Sequence, residues 1–497
     1  MENTVKNSYS LPYAPPFRWL NALIHSKWMV FLIAVFAIVS NILGLDFYFY
    51  LTVAILAVYI SLFGKDYLPY LPLMLFSYIA PSIKNNPSKS GTSIFLFNSG
   101  GLYLIIMGCA VALFLLIRLI FDKEIGFRNM VKTKYKLAGG MVFLGIAFAL
   151  SGMGSQAISG FEIKNLIFAG LQFAAMFIPY FLLCFSVKWN KVVKDYIAFS
   201  VIMFGLVVGA QIVYSYLYNG YFINGNPNNF YIFSGWGVNT NMGAMVTLAI
   251  PFAFYYIAKD KNVFVNNLIV LLLFFTNVLS LSRNSILIGT VLYFVCLIIS
   301  FNVSKKKSTK ITLVIFLLLL LGIFYLFNSY VFNTIMSSFA NGFSPSGRDK
   351  LYVRAIEAFY SFPLLGSGFY SINSTLLPSD IGWNAFFPRM WHNSVLQVMA
   401  TGGLVCLVAY IIHRIQTLKV VFSNFSIENG FIAISLLALL LMSLFDCYLF
   451  QIGPMLFYSS AFAFIEHSTN HHDKESFEKI IYKRSSETIK IKSNFKR

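Results

Sequence analysis

The fold class this sequence predicts is all-α. It reads as a polytopic membrane protein with about twelve to fourteen transmembrane helices and one long extracytoplasmic loop containing short helices. Three observations predict it. Of 497 residues, 58% are hydrophobic and only 11% charged, too little charge for a soluble chain of this length. Apolar runs of spanning size follow one another along the chain. Finally, Lys and Arg separate by loop once those runs are placed.

The runs lie at about 28–45, 47–63, 67–81, 101–121, 137–154, 166–187, 196–217, 237–258, 264–281, 285–301, 311–327, 394–412, 431–450 and 453–466. The third and the last are short for a span, which sets the lower bound on their number. The content of 53 Phe and 29 Tyr fits lipid-facing and interfacial positions. The opening stretch to Lys27 is polar for too long to be a secretory signal peptide, and no cleavage site follows it.

With the N-terminus inside, alternate loops collect 29 of the 37 Lys and Arg on one face. Lys84, Lys89, Lys164, Arg283, Arg348, Lys350, Arg354 and Arg389 remain outside. The inverted arrangement would put the basic excess outside, against the positive-inside tendency, so both termini are expected in the cytoplasm. The net charge of +19 therefore marks cytoplasmic loops and not a nucleic-acid partner. Five divisions follow: a cytoplasmic N-terminal segment (1–27), helices before the loop (28–327), the loop (328–393), final helices (394–466) and a basic cytoplasmic tail (467–497).

Five cysteines stand in or at the end of apolar runs without CxxC spacing, so neither a disulfide framework nor a zinc site is expected. No Walker, H-E-x-x-H or dinucleotide fingerprint is evident, which leaves ATP-driven transport and metalloprotease chemistry without support.

Of the histidines, only His392 falls on the outer side, at the end of the long loop in "PRMWHNSVLQVMATGGL". It can accept a proton from a hydroxyl or donate one to a phosphate, or be a polar anchor at the interface. Trp391 beside it fits an interfacial belt, and Asn393 can cap the following helix. Arg283 stands in "SLSRNSIL", a turn so tight that its guanidinium stays at the outer membrane face. It is either a snorkelling cation or a bidentate phosphate ligand.

Within the loop, "SPSGRDKLYVRAIEAFYSFPLLGSGFYS" reads as a short helix and a turn. Ser346 and Asp349 fit its start, and Phe362-Pro363 its end. Arg348 sits near that start, where free backbone N–H groups favour an anion. Leu351, Ala355, Ala358 and Phe359 form an apolar stripe suited to a membrane surface. Asp349 and Glu357 lie about two turns apart on a similar face, as solvated charges or as ligands. Arg354 and Arg389 are weaker cation candidates. Asn241, at the start of the run containing Pro251, either lines a polar cavity or caps its helix.

The ordered motifs "LSLSRNSIL" (279–287), "SGRDKLYVRAIEAFYSFPLLGSGFYS" (346–371) and "WHNSVLQVMATGGL" (391–404) resemble the O-antigen ligase and Wzy-type polymerase family. These are bacterial membrane glycosyltransferases of the GT-C class. The resemblance covers roughly 230–410 and includes the upstream "VNTNMGAMVTLAIP".

It implies inverting, metal-independent transfer of a glycan from an undecaprenyl diphosphate carrier to a glycan acceptor at the outer face of the bacterial inner membrane, with no cofactor. Arg283 and Arg348 would hold the diphosphate, and His392 would serve the acceptor or the phosphate. Arg354, Arg389, Asn393, Asn241, Asp349 and Glu357 would line the substrate. A chain-length regulator and a flippase would be partners in building the cell-envelope polysaccharide.

Those motifs do not separate a polymerase from a ligase acting on a lipid A core. A composition rich in Lys, Asn, Ile and Phe favours the polymerase. A polysaccharide flippase is the alternative from another class, though its cations would be expected within the spans.

Overall fold

The computed structural model describes residues 15–81, 102–132, 135–154, 177–224, 232–235, 237–326, 348–368, 391–423 and 425–467. The described chain is almost entirely helical. In order the helices are α1 (Pro15–Ile24), α2 (Lys27–Leu43), α3 (Asp46–Phe63), α4 (Tyr70–Ile79), α5 (Leu102–Phe121), α6 (Phe127–Lys132), α7 (Ala138–Gly154), α8 (Phe177–Ser186), α9 (Lys191–Tyr218) and α10 (Tyr221–Asn224). They continue with α11 (Asn239–Ala258), α12 (Val263–Leu279), α13 (Arg283–Val303), α14 (Lys307–Leu326), α15 (Arg348–Ser361), α16 (Ser394–Ser423), α17 (Ile427–Met442) and α18 (Ile452–His467). A hairpin of two two-residue strands, Phe233–Ser234 and Gly237–Val238, precedes α11.

Every apolar run of the sequence carries a described helix. Six helices, α3, α5, α9, α11, α13 and α16, are long and apolar enough to cross a membrane. The α1–α2 pair, bent by 65°, adds a further candidate, and five shorter apolar helices accompany them. The expected multi-pass, all-α architecture is what the chain forms. Two details differ from the hydropathy reading. The N-terminal segment carries α1, which buries Asn21 and Ile24 while Trp19 is left 70% exposed; this amphipathic pattern is too polar to register as a span. The run 431–450 ends as a helix at Met442, and its last residues form a turn and a short 3₁₀ segment (Tyr448–Phe450).

Helix α11 is the centre of the bundle, with 94% of its spanning window buried, whereas α5 has 6% buried and packs chiefly on α3. An apolar helix of the first kind needs protein on all sides, and one of the second suits lipid. Around α11 stand α9, α12, α13 and α17. Small residues set the approach: a side chain at Gly205 of α9 would fall 2.4 Å from Ala249 of α11. Polar groups join the helices where lipid offers no partner. Thr247 donates to the Ser285 carbonyl (3.3 Å), Asn277 to the same oxygen (2.9 Å), and Ser435 to the Leu248 carbonyl (2.7 Å).

Helix α16 is broken. Gly403 adopts φ +61° and ψ −158°, which interrupts the helical ladder after nine residues. Inside a membrane protein the freed backbone groups need partners. The turn after α15 supplies them. Ser367 and Gly368 N–H donate to the Ala400 and Thr401 carbonyls (2.8 and 3.0 Å), while Leu404 and Val405 N–H donate to Pro363 and Leu364 (2.7 and 3.3 Å). The sequence "PLLGSG" thus stitches itself into the gap opened at "TGG". Two backbones come this close only without side chains: a Cβ on Gly366 would lie 2.3 Å from the Thr401 carbonyl carbon.

This packing sets the prediction for the fold. Gly366→Ala meets both a positive φ of +71° and a backbone clash. Left-handed placement costs about 1–2 kcal/mol, and overpacking adds about 1–3 kcal/mol. Thermal unfolding in detergent should therefore show a clear loss of melting temperature for Gly366→Ala. The control Gly139→Ala, at a helical glycine with open space around it, should show none. Equal melting of both variants would sink the stitched-turn account.

Candidate functional site

Three motifs of the sequence reading meet at one turn. Beyond α17, residues 442–446 run Met-Ser-Leu-Phe-Asp, and the turn's N–H groups bond back to the helix: Ser443 to Leu439 O, Leu444 to Leu441 O, and Phe445 and Asp446 to Met442 O. The carbonyls of the turn itself find partners elsewhere in the chain, and Met442 O gains one more. Asn284 donates to Met442 O (2.9 Å), Ser394 N–H to Ser443 O (2.8 Å) and Asn393 to Leu444 O (2.9 Å). Arg348 donates through Nη1 to Phe445 O, and Ser394 Oγ to Asp446 O (3.3 Å). His392 completes the set, its Nδ1 standing 3.2 Å from Asp446 Oδ1.

Arg283 reaches this region by a local device. Helix α12 stops at Leu279, Leu281 takes φ +56°, and Ser282 leads into α13, whose first residue is Arg283. A left-handed leucine is strained by about 1–2 kcal/mol, and surrounding contacts hold it. Ser280 Oγ donates to Asn277 O (2.6 Å) and accepts from Ser282 N–H (3.2 Å). The Ser282 and Ser285 hydroxyls bond to each other at 2.8 Å, so the Ser282 side chain does not cap α13. That leaves a helix start suited to an anion beside a half-buried guanidinium. The neighbour Asn284 ties this turn to Met442.

His392 is also left-handed, with φ +52°. Its carbonyl accepts from Tyr352 of α15 (3.3 Å). Asn393 follows as the cap of α16: its Oδ1 accepts from Val395 and Leu396 N–H (2.9 and 3.1 Å). The His392 side chain is 22% exposed and Asp446 6%. Burial alone would push the Asp446 carboxyl up. The His392 hydrogen bond, the charges of His392 and Arg348, and the Cys447 N–H outweigh it and leave the group below the usual carboxylate value. With Nδ1–H directed to the carboxylate, the Nε2 of His392 is the atom left for a substrate.

The other expected residues divide. Arg354 and Glu357 pair with each other at 2.6 Å on an exposed face of α15, one turn apart. Asp349 is exposed in the first turn of that helix. Asn241 is 7% exposed in the first turn of α11 and donates to Tyr78 OH (3.4 Å). Arg389 and Ser346 lie outside the described residues.

Two expectations are corrected. Trp391 is 3% exposed and so is no interfacial belt residue; it packs with Ala355, Ala358 and Ala400, while its backbone N–H donates to Gln397 Oε1 (2.8 Å). Leu351, Ala355 and Ala358 of the α15 stripe face that same cluster and not a membrane surface. Small alanines on both helices allow the approach that the stitched turn requires.

Asp446 is the residue that sequence reasoning missed, because it was absorbed into the run 431–450. The signal was present: it is the one charged residue of that run, and an ionisable group among spanning residues is a functional candidate by default.

Compared with known families, residues 268–411 match the model described as O-antigen ligase. The match starts in α12, ends in α16, and contains Arg283, Arg348, His392 and Asn393. Asn241 and Asp446 lie outside it. No curated protein matches the chain.

The lowered carboxyl of Asp446 makes a prediction with a definite sign. Its interactions stabilise the fold above the unfolded carboxylate value, about 3.9, and that stability is lost as pH falls through the lower folded value. Wild type should therefore melt above Asp446→Asn at neutral pH, and the gap should close as pH falls below the ordinary carboxylate range. A gap that stays constant with pH would mean that the carboxylate charge is not what holds the turn.

Proposed function

From the O-antigen ligase match over residues 268–411 as premise, we propose that the protein is a polysaccharide polymerase. It transfers a glycan from an undecaprenyl-diphosphate-linked donor to a second lipid-linked glycan, at the outer face of the bacterial cytoplasmic membrane. The observation that carries this reading is the gathering of Arg348, His392 and the Arg283 turn around the Met442–Asp446 turn. Basic loops at the opposite end of the bundle support an outward-facing site and cytoplasmic termini.

The chemistry follows from those groups. An acceptor hydroxyl attacks the anomeric carbon of the donor sugar. A new C–O bond forms as the bond from that carbon to the diphosphate oxygen breaks, with inversion. His392 Nε2 takes the hydroxyl proton, and Asp446 at Nδ1 orients the ring and balances the imidazolium. The leaving undecaprenyl diphosphate carries the bonding pair away as negative charge. Arg283 and Arg348, helped by the positive end of α13, stabilise that charge.

This assignment needs no metal, because two fixed guanidiniums meet the charge that develops. Asn393 acts by capping α16 beneath His392. Arg354, Glu357, Asp349, Asn241 and Arg389 are proposed to meet the sugars further from the reacting bond.

Transfer of a finished glycan to a lipid A core uses the same bond changes, so the acceptor distinguishes ligase from polymerase. Nothing in the match supports a flippase.

Proteoliposomes carrying the lipid-diphosphate-linked repeat unit should yield a ladder of products on a gel. His392→Ala should abolish it, and Arg283→Ala or Arg348→Ala should slow it by about 10²–10³-fold, as for removal of a preorganised charge-stabilising donor. A single product formed only when lipid A core is added would replace the polymerase by the ligase. Unchanged ladders in all three variants would remove the site assignment.

A further inference from the structure

At the end of the bundle opposite the candidate site, ammonium groups outnumber the carboxylates they surround. Lys27 opens α2, Lys194 and Asp195 lie in the first turn of α9, Lys259 and Lys261 follow α11, and Glu428 lies in the first turn of α17. Their ion pairs consume both acids. Lys261 meets Asp195 at 2.7 Å, and Lys259 reaches Asp195 at 3.9 Å while also pairing with Glu428. Lys194 meets Glu428 at 3.4 Å. Asp195 is further occupied by the Tyr255 hydroxyl (3.1 Å), and its carbonyl by Tyr256 (2.6 Å).

Lys27 is left over. Its ammonium has three donors, and among the described residues it makes one long hydrogen bond, to Tyr256 OH at 3.5 Å. It stands 5.4 Å from the centres of both the Phe199 and Tyr256 rings, while Lys261 approaches the Tyr256 ring at 5.9 Å. Two ammoniums thus stand against one tyrosine, and the carboxylate paired with Lys261 makes no ion pair with Lys27. Like charges held this close repel unless an anion joins them. Beside Lys27, Trp28 is 72% exposed, and on α1 Trp19 is 70% exposed, the placement of indoles at the level of lipid headgroups.

We propose that Lys27 and Lys261, across the Tyr256 ring, form a binding site for the phosphodiester headgroup of an anionic phospholipid. The lipid belongs to the leaflet opposite the candidate glycan site. One phosphodiester supplies negative charge where four lysines face two carboxylates, and it offers unesterified oxygens to the unfilled donors of Lys27. Tyr256 forms the floor between the two cations, and the exposed tryptophans set the depth at which the headgroup sits. The site rests on its own residues and is independent of the reaction proposed above.

The test is thermal unfolding of the full-length protein in uncharged detergent, with added phosphatidylglycerol, phosphatidylcholine or inorganic phosphate. Phosphatidylglycerol should raise the melting temperature, and the other two should not. Lys27→Gln, at an exposed side chain whose loss leaves every ion pair intact, should lose at least half of that rise, whereas Lys27→Arg should keep it. An equal rise with phosphatidylcholine or with phosphate, or a full rise in Lys27→Gln, would overturn the proposal. Bound lipid counted by native mass spectrometry of the same variants separates lost binding from a fold weakened in general.

Discussion

The turn after α17 is the constraint on which the site depends. Its N–H groups bond back to the helix, so the carbonyls of Ser443 to Asp446 must find partners elsewhere, and in a membrane protein water cannot be relied on to supply them. Each such group left unmet costs about 1–3 kcal/mol. A half-exposed ion pair such as Arg354–Glu357 contributes about 0–1 kcal/mol. The carbonyls therefore decide the local architecture, and the surface pair follows it. Because their partners are Arg348, Asn393 and Ser394, with Asn284 adding a bond at Met442, satisfying one turn brings three distant segments of the chain together.

A second backbone arrangement has the same logic. Breaking α16 at Gly403 exposes carbonyls and N–H groups that an intact helix would have paired, and the turn after α15 takes them up. The glycines of "PLLGSG" and "TGG" are thereby parts of one joint. That joint holds α15 against the first half of α16, before Gly403, where its alanines meet Trp391 and Ala400. Arg348 at one end of α15 and His392 just before α16 are fixed relative to each other by contacts that involve neither side chain.

Much of the architecture was legible because a membrane imposes strong rules on composition. Runs of apolar residues found the helices, and the alternation of Lys and Arg separated the two ends of the bundle. The short helix of the loop could be read from its capping pattern and its Phe-Pro stop. Asp446 was not read, since a single carboxylate hardly lowers the hydropathy of twenty apolar neighbours. Trp391 was misread because indoles at a span's end usually face lipid, while here two alanine-faced helices leave a slot of its size. The joint at Gly403 was invisible for another reason: "TGG" and "PLLGSG" each look like an ordinary turn, and only their meeting gives either one a purpose. Hydrophobic periodicity records which face is apolar, not which backbone groups change partners.

The stretch 369–390 begins at Gly368, bonded to Thr401, and ends at Trp391, bonded to Gln397. Both anchor points lie on the first nine residues of α16, so the described chain leaves off and resumes on the same short rod. Arg348 and His392 are bonded to Phe445 and Asp446, which lie outside that rod. Two residues far apart in the chain therefore share one frame of reference, which the described helices supply by themselves.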